Sequence, residues 1–217
     1  SSRCSNGDYF RNTSNGYGGG STKVQATLHG LFEVIERHQI SVGEKVRINI
    51  DSEIVKIFSP FIQSFAKYKI RVGVYAFLNS LSIPTFKVVL FESDKGIAFS
   101  GSACHWDKSI ALEKAFIEAL QSRLTHFTAS RDDLAEDSFE LKDSLADNPK
   151  QEALRQFSFE AIESLFSGPQ SNEYVLEHVL LYLKNNGFSE VIVKDLSSSE
   201  INIPVCVVVV PKMKFSW

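Results

Sequence analysis

Apolar positions along this chain repeat with periods that separate helices from strands. From Thr22 to about Gln39, Val24, Leu28, Leu31, Phe32 and Ile35 recur at steps of three and four, the spacing of a helix with one buried face, and Ser21 or Thr22 is placed to cap its first turn. VRINI, Val46 to Ile50, alternates apolar and polar as a strand does, and Asp51 or Ser52 can cap a helix running to about Tyr68. Lys69 to Phe77 and Thr85 to Glu92 read as strands rich in Val and Phe, split by a turn around Asn79 to Pro84. Asp107 can cap a long helix from Lys108 to about Thr128. Near the end, Ser171 or Asn172 caps a helix to Asn186, Gly187 stops it, and EVIVKDL and Pro204 to Val210 form two more strands. The unbroken VCVVVV run predicts a strand covered on both faces.

Between these elements the chain is polar. Residues 1 to 21 are loop-rich, with glycines at Gly7, Gly16, Gly18, Gly19 and Gly20. Residues 128 to 170 read as a polar surface excursion with one short helix near Glu152 to Phe166. No repeat or low-complexity tract is present. The order of elements predicts an α/β fold, a mixed sheet flanked by helices, forming a single domain over residues 1–217. Ser1 stands inside a predicted strand or turn and Trp217 closely follows VCVVVV, so the domain is expected to be incomplete at both ends.

Composition narrows the class. With 217 residues, 43% of them hydrophobic, the chain can bury a core without a staple. A formal charge of -3 supplies no field to attract nucleic acid or an anionic membrane. Cys4, Cys104 and Cys206 are far apart and odd in number, with no zinc-site spacing, which fits a reducing, cytoplasmic setting. No apolar run approaches the roughly 20 residues of a membrane span, and the start SSRCSNGDYF is not a secretory signal.

Two helices carry candidate chemistry. On the first, Gln25, His29, Glu33 and either Glu36 or Arg37 share one polar stripe among apolar neighbours. Carboxylates suit the hard magnesium ion and a guanidinium suits phosphate. The preceding GYGGGST places backbone donors at the positive end of the helix dipole. It is neither a Walker motif nor a GxGxxG turn, and a Glu-x-x-Glu-Arg run taken alone is usually a solvated helix face with an internal ion pair. On the second helix, Lys114, Glu118 and Gln121 again make one polar line, with Arg123 nearby as a further candidate anion contact; alone, Lys114 and Glu118 read as a surface ion pair. Facing each other, the two stripes could clamp a metal-bound nucleotide.

SNGYGGGSTKVQATLHGLFEVIERH resembles the YcaO-family segment that opens with Ser-Asn-Gly and ends in a helix bearing Glu-x-x-Glu-Arg. FSGSACHWDKSIALEKAFIEALQSRLTHFTASRDD is similar to a second family segment, with a small-residue strand end, then Ala-Leu, a basic residue, Glu and Gln-x-Arg. IPVCVVVVPKMK resembles the family's later Ile-Pro-Val strand. The resemblance runs from about Tyr9 to Pro211 and implies ATP-dependent O-phosphorylation of a peptide amide, leading to an azoline or a thioamide. It further implies that Glu33, Glu36 and Glu118 bind magnesium and that Arg37 binds the ATP phosphates. Lys114 stands where many members have an arginine for phosphate, while Ser21 and Gln25 replace a common Asn and Glu; Gln121 and Arg123 form the Gln-x-Arg. A peptide or protein substrate, a TfuA-like or leader-peptide-binding partner and a homodimer are implied as well. A non-catalytic module that keeps the fold is the alternative.

Overall fold

A computed structural model describes residues 14–50, 52–128, 154–198 and 200–215. In chain order the elements are β1 (Tyr17–Gly19), α1 (Lys23–Val42), β2 (Glu44–Ile48), α2 (Ser52–Lys67), β3 (Ile70–Leu78), β4 (Thr85–Glu92), β5 (Ile97–Cys104), α3 (Lys108–Phe127), β6 (Gln156–Phe157), α4 (Asn172–Asn185), β7 (Ile192–Asp195) and β8 (Val205–Val209). Two sheets form. One has five strands in the order β5-β4-β3-β2-β6, antiparallel except for the parallel β2–β6 pair; the other is antiparallel, β1-β8-β7. This is the mixed α/β architecture that the order of elements predicts.

Each sheet acquires a helix by ordinary burial of its apolar face. Ala111, Leu112, Ala115, Phe116 and Ala119 of α3 pack on Phe86, Val88 and Leu90 of β4 and on Phe99 and Ala103 of β5. Alanines along that stripe let the helix lie low on the sheet, and Gly101 makes the closest approach: a Cβ there would stand 2.3 Å from the Ala119 nitrogen. Ala26, Leu31, Val34 and Ile35 of α1 join Cys206 and Val208 of β8, Val175, Val179 and Leu183 of α4, and Cys104 at the end of β5. Helix α1 is therefore wedged between the small sheet and the end of the large one. Its cap is Thr22, whose hydroxyl accepts from the Gln25 N–H.

Four expectations change. The glycine-rich run is not a loop of free donors: Tyr17–Gly19 pairs with β8, and a Cβ on Gly18 would lie 2.0 Å from the Ala26 oxygen, so the glycines admit α1 against the strand. Strand β5 is unmarked by periodicity because Ser100, Gly101 and Ser102 break its pattern. The short helix expected near Glu152 to Phe166 is, among the described residues, the strand β6 and a 3-10 turn at Phe159–Ala161. Backbone pairing of Gln156 and Phe157 with β2, and burial of Phe159 and Ile162, override local propensity there. Residues 129–153 of the expected excursion lie outside the described residues, as does Cys4. Finally, VCVVVV is covered on one face only: Cys206, Val208 and Val210 are buried, whereas Val209 is 44% exposed, because no described element lies over the outer face of β1-β8-β7. Among the described residues no helix is long and apolar enough to cross a membrane.

Candidate active site

Helices α1 and α3 stand on either side of β5, the edge strand of the large sheet, and leave between them a cleft of about 580 Å³. Helical spacing fills its walls. Gln25, His29, Glu33, Glu36 and Arg37 reach it from α1, and Lys114, Glu118 and Gln121 from α3. Ser102, Ala103 and Cys104 form the floor, continued by His105 and Trp106.

Ser102 ties the two walls together. Its hydroxyl donates to Glu36 Oε1 at 2.7 Å, and its backbone N–H donates to Glu118 Oε2 at 2.9 Å. An edge strand has backbone donors without strand partners, and here one of them goes to a carboxylate. Arg37 approaches Glu36 at 3.9 Å and Glu33 at 4.0 Å, too far for tight pairing. Its buried Nε has no hydrogen-bond partner.

The electrostatics follow from that geometry. Burial pushes the Glu36 carboxyl up to about 7, the Ser102 hydroxyl and Arg37 opposing, while Glu118 and Glu33 push it further. Burial also raises Glu33, with Arg37 opposing and Glu118 adding to the rise. Three carboxylates share a partly dry cleft with Arg37, Lys87 and Lys114, yet burial remains the largest influence on Glu33 and Glu36, so a further cation beside them is favoured, and an unpartnered guanidinium N–H lacks an acceptor. A divalent cation bound to an oxyanion supplies both.

Lys87, beside the cleft, is a residue that helical spacing does not single out. It sits on β4 directly opposite Ser102 in the ladder, and burial, then Arg37, lower its pKa, while Glu118 and Glu36 raise it. Its signal was one charge inside the apolar run TFKVVLFE. Ser21 does not line the cleft: its N–H and hydroxyl each lie 2.8 Å from Gln25 Oε1, fixing that side chain at the start of α1. Lys114 lines the cleft with its pKa lowered by burial, and Gln121 lies one turn beyond Glu118. Arg123 is placed elsewhere. Five residues after Glu118 it has rotated off that face, and its Nε donates to Glu92 Oε1 at 2.6 Å. Among the described residues, no three His, Cys, Asp or Glu side chains form a ready metal cage. Magnesium needs none, since it keeps waters and takes phosphate oxygens alongside one or two carboxylates.

The sequence and the fold match a known family. The family model described as YcaO cyclodehydratase, ATP- and Mg2+-binding, matches residues 1–214. The chain belongs to the YcaO family. An uncharacterized protein of Methanothermobacter thermautotrophicus is 26% identical over 220 residues, covering 94% of this chain and 56% of the relative. An uncharacterized protein from the tfuA 3' region of Rhizobium leguminosarum bv. trifolii is 30% identical over 142 residues, 58% of this chain and 34% of the relative. Among solved structures, a heterocyclase in complex with substrate and cofactor superimposes with a TM-score of 0.77 at 21% identity, covering 95% of this chain and 29% of that one. YcaO from Methanopyrus kandleri bound with AMPPCP and Mg2+ gives 0.74 at 18%, covering 95% and 57%. The chain thus spans little more than half the length of the Methanothermobacter relative and of the Methanopyrus structure. At these identities the structural matches establish the fold.

Proposed function

We propose that this chain binds Mg-ATP in the cleft and uses it to activate a peptide backbone amide by O-phosphorylation, for azoline or thioamide formation. One observation carries the reading: Ser102 holds Glu36 and Glu118, from opposite helices, in one cleft, where burial raises the Glu36 carboxyl and favours a cation beside it. When bound, ATP would supply a phosphoryl group that turns the amide oxygen into a leaving group. Glu33, Glu36 and Glu118 would hold magnesium, and Arg37, with its free Nε, and Lys114 would face the phosphates. Gln25, braced by Ser21, and Gln121 would complete the polar wall with neutral groups. Arg123, engaged with Glu92, supports α3 rather than the nucleotide.

The substrate in this reading is a peptide or protein, the tfuA-region relative supports a TfuA-like partner, and a cytoplasmic homodimer completes the proposal. The test is ATP consumption by the intact gene product with candidate peptides and mass spectrometry of the peptide. Loss of one water identifies an azoline, and exchange of oxygen for sulfur with sulfide present identifies a thioamide. Nucleotide binding without peptide-dependent turnover across both assays would favour a non-catalytic module.

A further inference from the structure

His105 lines the cleft but takes no part in the carboxylate cluster. Its Nδ1 accepts a hydrogen bond from the Asp107 N–H at 3.1 Å, and Asp107 is itself fixed as the cap of α3 through the N–H groups of Ser109 and Ile110. A neutral imidazole whose Nδ1 accepts carries its proton on Nε2. The ring lies 5.3 Å from Phe32 and 5.3 Å from Trp106, which hold its plane. Among the described residues Nε2–H has no hydrogen-bond partner. Burial, then Lys114, hold its pKa down to about 4, so it remains a neutral donor through the working pH range.

Aromatic faces flank that donor: Phe32 and Trp106 lie against the ring, Ala103 and Asn172 line the same cleft, and Lys114 is the cation whose field reaches it. A neutral donor set between two aromatic rings suits a planar carbonyl acceptor. From this corner a ladder of rings leads outward. Trp106 stands 5.8 Å from Phe166, which stands 5.7 Å from Tyr174 and 5.8 Å from His178. Tyr174 and His178 stack at 3.8 Å, and Tyr174 is 39% exposed.

We propose that this corner and ladder bind the backbone of the peptide substrate, with His105 Nε2–H donating to a carbonyl oxygen and the rings flanking the chain as it leaves over the start of α4. The proposal rests on the peptide-activating reading above. It makes His105 a fixed donor and not a proton shuttle.

Trp106 and Trp217 are the two tryptophans of the chain. In the full chain carrying Trp217→Phe, emission therefore reports the corner. The probe is N-acetyl-glycyl-glycine N-methylamide, titrated with and without saturating Mg2+ and a non-hydrolysable ATP analogue. A saturable change in emission is expected. His105→Phe should leave nucleotide affinity within about twofold but raise the half-saturating peptide concentration about tenfold, the scale of one lost hydrogen bond in a dry site. His105→Gln, which keeps an N–H, should recover part of that loss, and Tyr174→Ala, on the outer face of α4, should weaken the response without disturbing the fold. No saturable response in the parent, or an unchanged response in His105→Phe, overturns the proposal. So does a tenfold loss of nucleotide affinity in His105→Phe with the peptide response intact, which assigns the corner to the base. Failure of the parent to bind nucleotide removes the ATP reading instead, and the titration without nucleotide still decides the corner.

Discussion

Glu36 concentrates the tension of the site in one side chain. Its folded pKa, pushed to about 7, lies above the unfolded value of 4.5, so the folded protein holds this proton more tightly. The stability it confers is fully present below about 4.5 and is lost as pH rises to about 7. Glu36→Gln without ligand should therefore be more stable than wild type above pH 7, by on the order of 3 kcal/mol, and near parity below the unfolded value; urea denaturation at both ends of that range checks it. Saturating Mg-ATP should narrow the difference at high pH by stabilising the wild type. The cysteines give a second residue-scale prediction. Burial raises both Cys104 and Cys206 and keeps them as thiols, so neither should be alkylated by iodoacetamide in the folded protein and both should react in urea. Rapid native labelling of Cys104 would mean that the cleft floor is open.

At the level of elements, the site depends on how closely helices approach strands. Gly101→Ala would press a Cβ against the Ala119 nitrogen, the Ala115 oxygen and the Glu118 Cβ. It should lift α3 from β5, cost roughly 1–3 kcal/mol or more in urea denaturation, and pull Glu118 away from Ser102, weakening Mg-ATP binding as well. Arg123→Ala separates stability from binding. It leaves the buried Glu92 with Lys95, at 2.9 Å, as its remaining cation; burial raises the Glu92 pKa but Lys95 and Arg123 together lower it, so stability should fall while Mg-ATP affinity stays within about twofold. A large loss of affinity would return Arg123 to the nucleotide site. The long helices and the Val- and Phe-rich strands were legible because burial and period agree in them. Strand β5 was not, since Gly101 and Ser102 are chosen for helix approach and carboxylate contact. Strand β6 was equally hidden, because its place is set by pairing with a strand more than a hundred residues earlier.

In the whole molecule, two polar stripes separated by some eighty residues become the two walls of one cleft; each stripe was legible from helical spacing on its own helix. Their convergence was not, because it requires α1 wedged between two sheets and α3 laid along an edge strand. Lys87 escaped notice for the same reason: a cross-strand neighbour of Ser102 is defined only once the ladder exists. The outer face of β1-β8-β7 exposes Tyr17, Ile192 and Val209. The measurement that bears most directly on the account is a calorimetric titration of ATP into the intact gene product with and without magnesium. Saturable, magnesium-dependent binding is expected, which Glu36→Ala and Glu118→Ala each weaken by at least about tenfold, the scale of losing one metal-bound carboxylate. Absence of binding, or binding that both substitutions leave unchanged, would contradict the account.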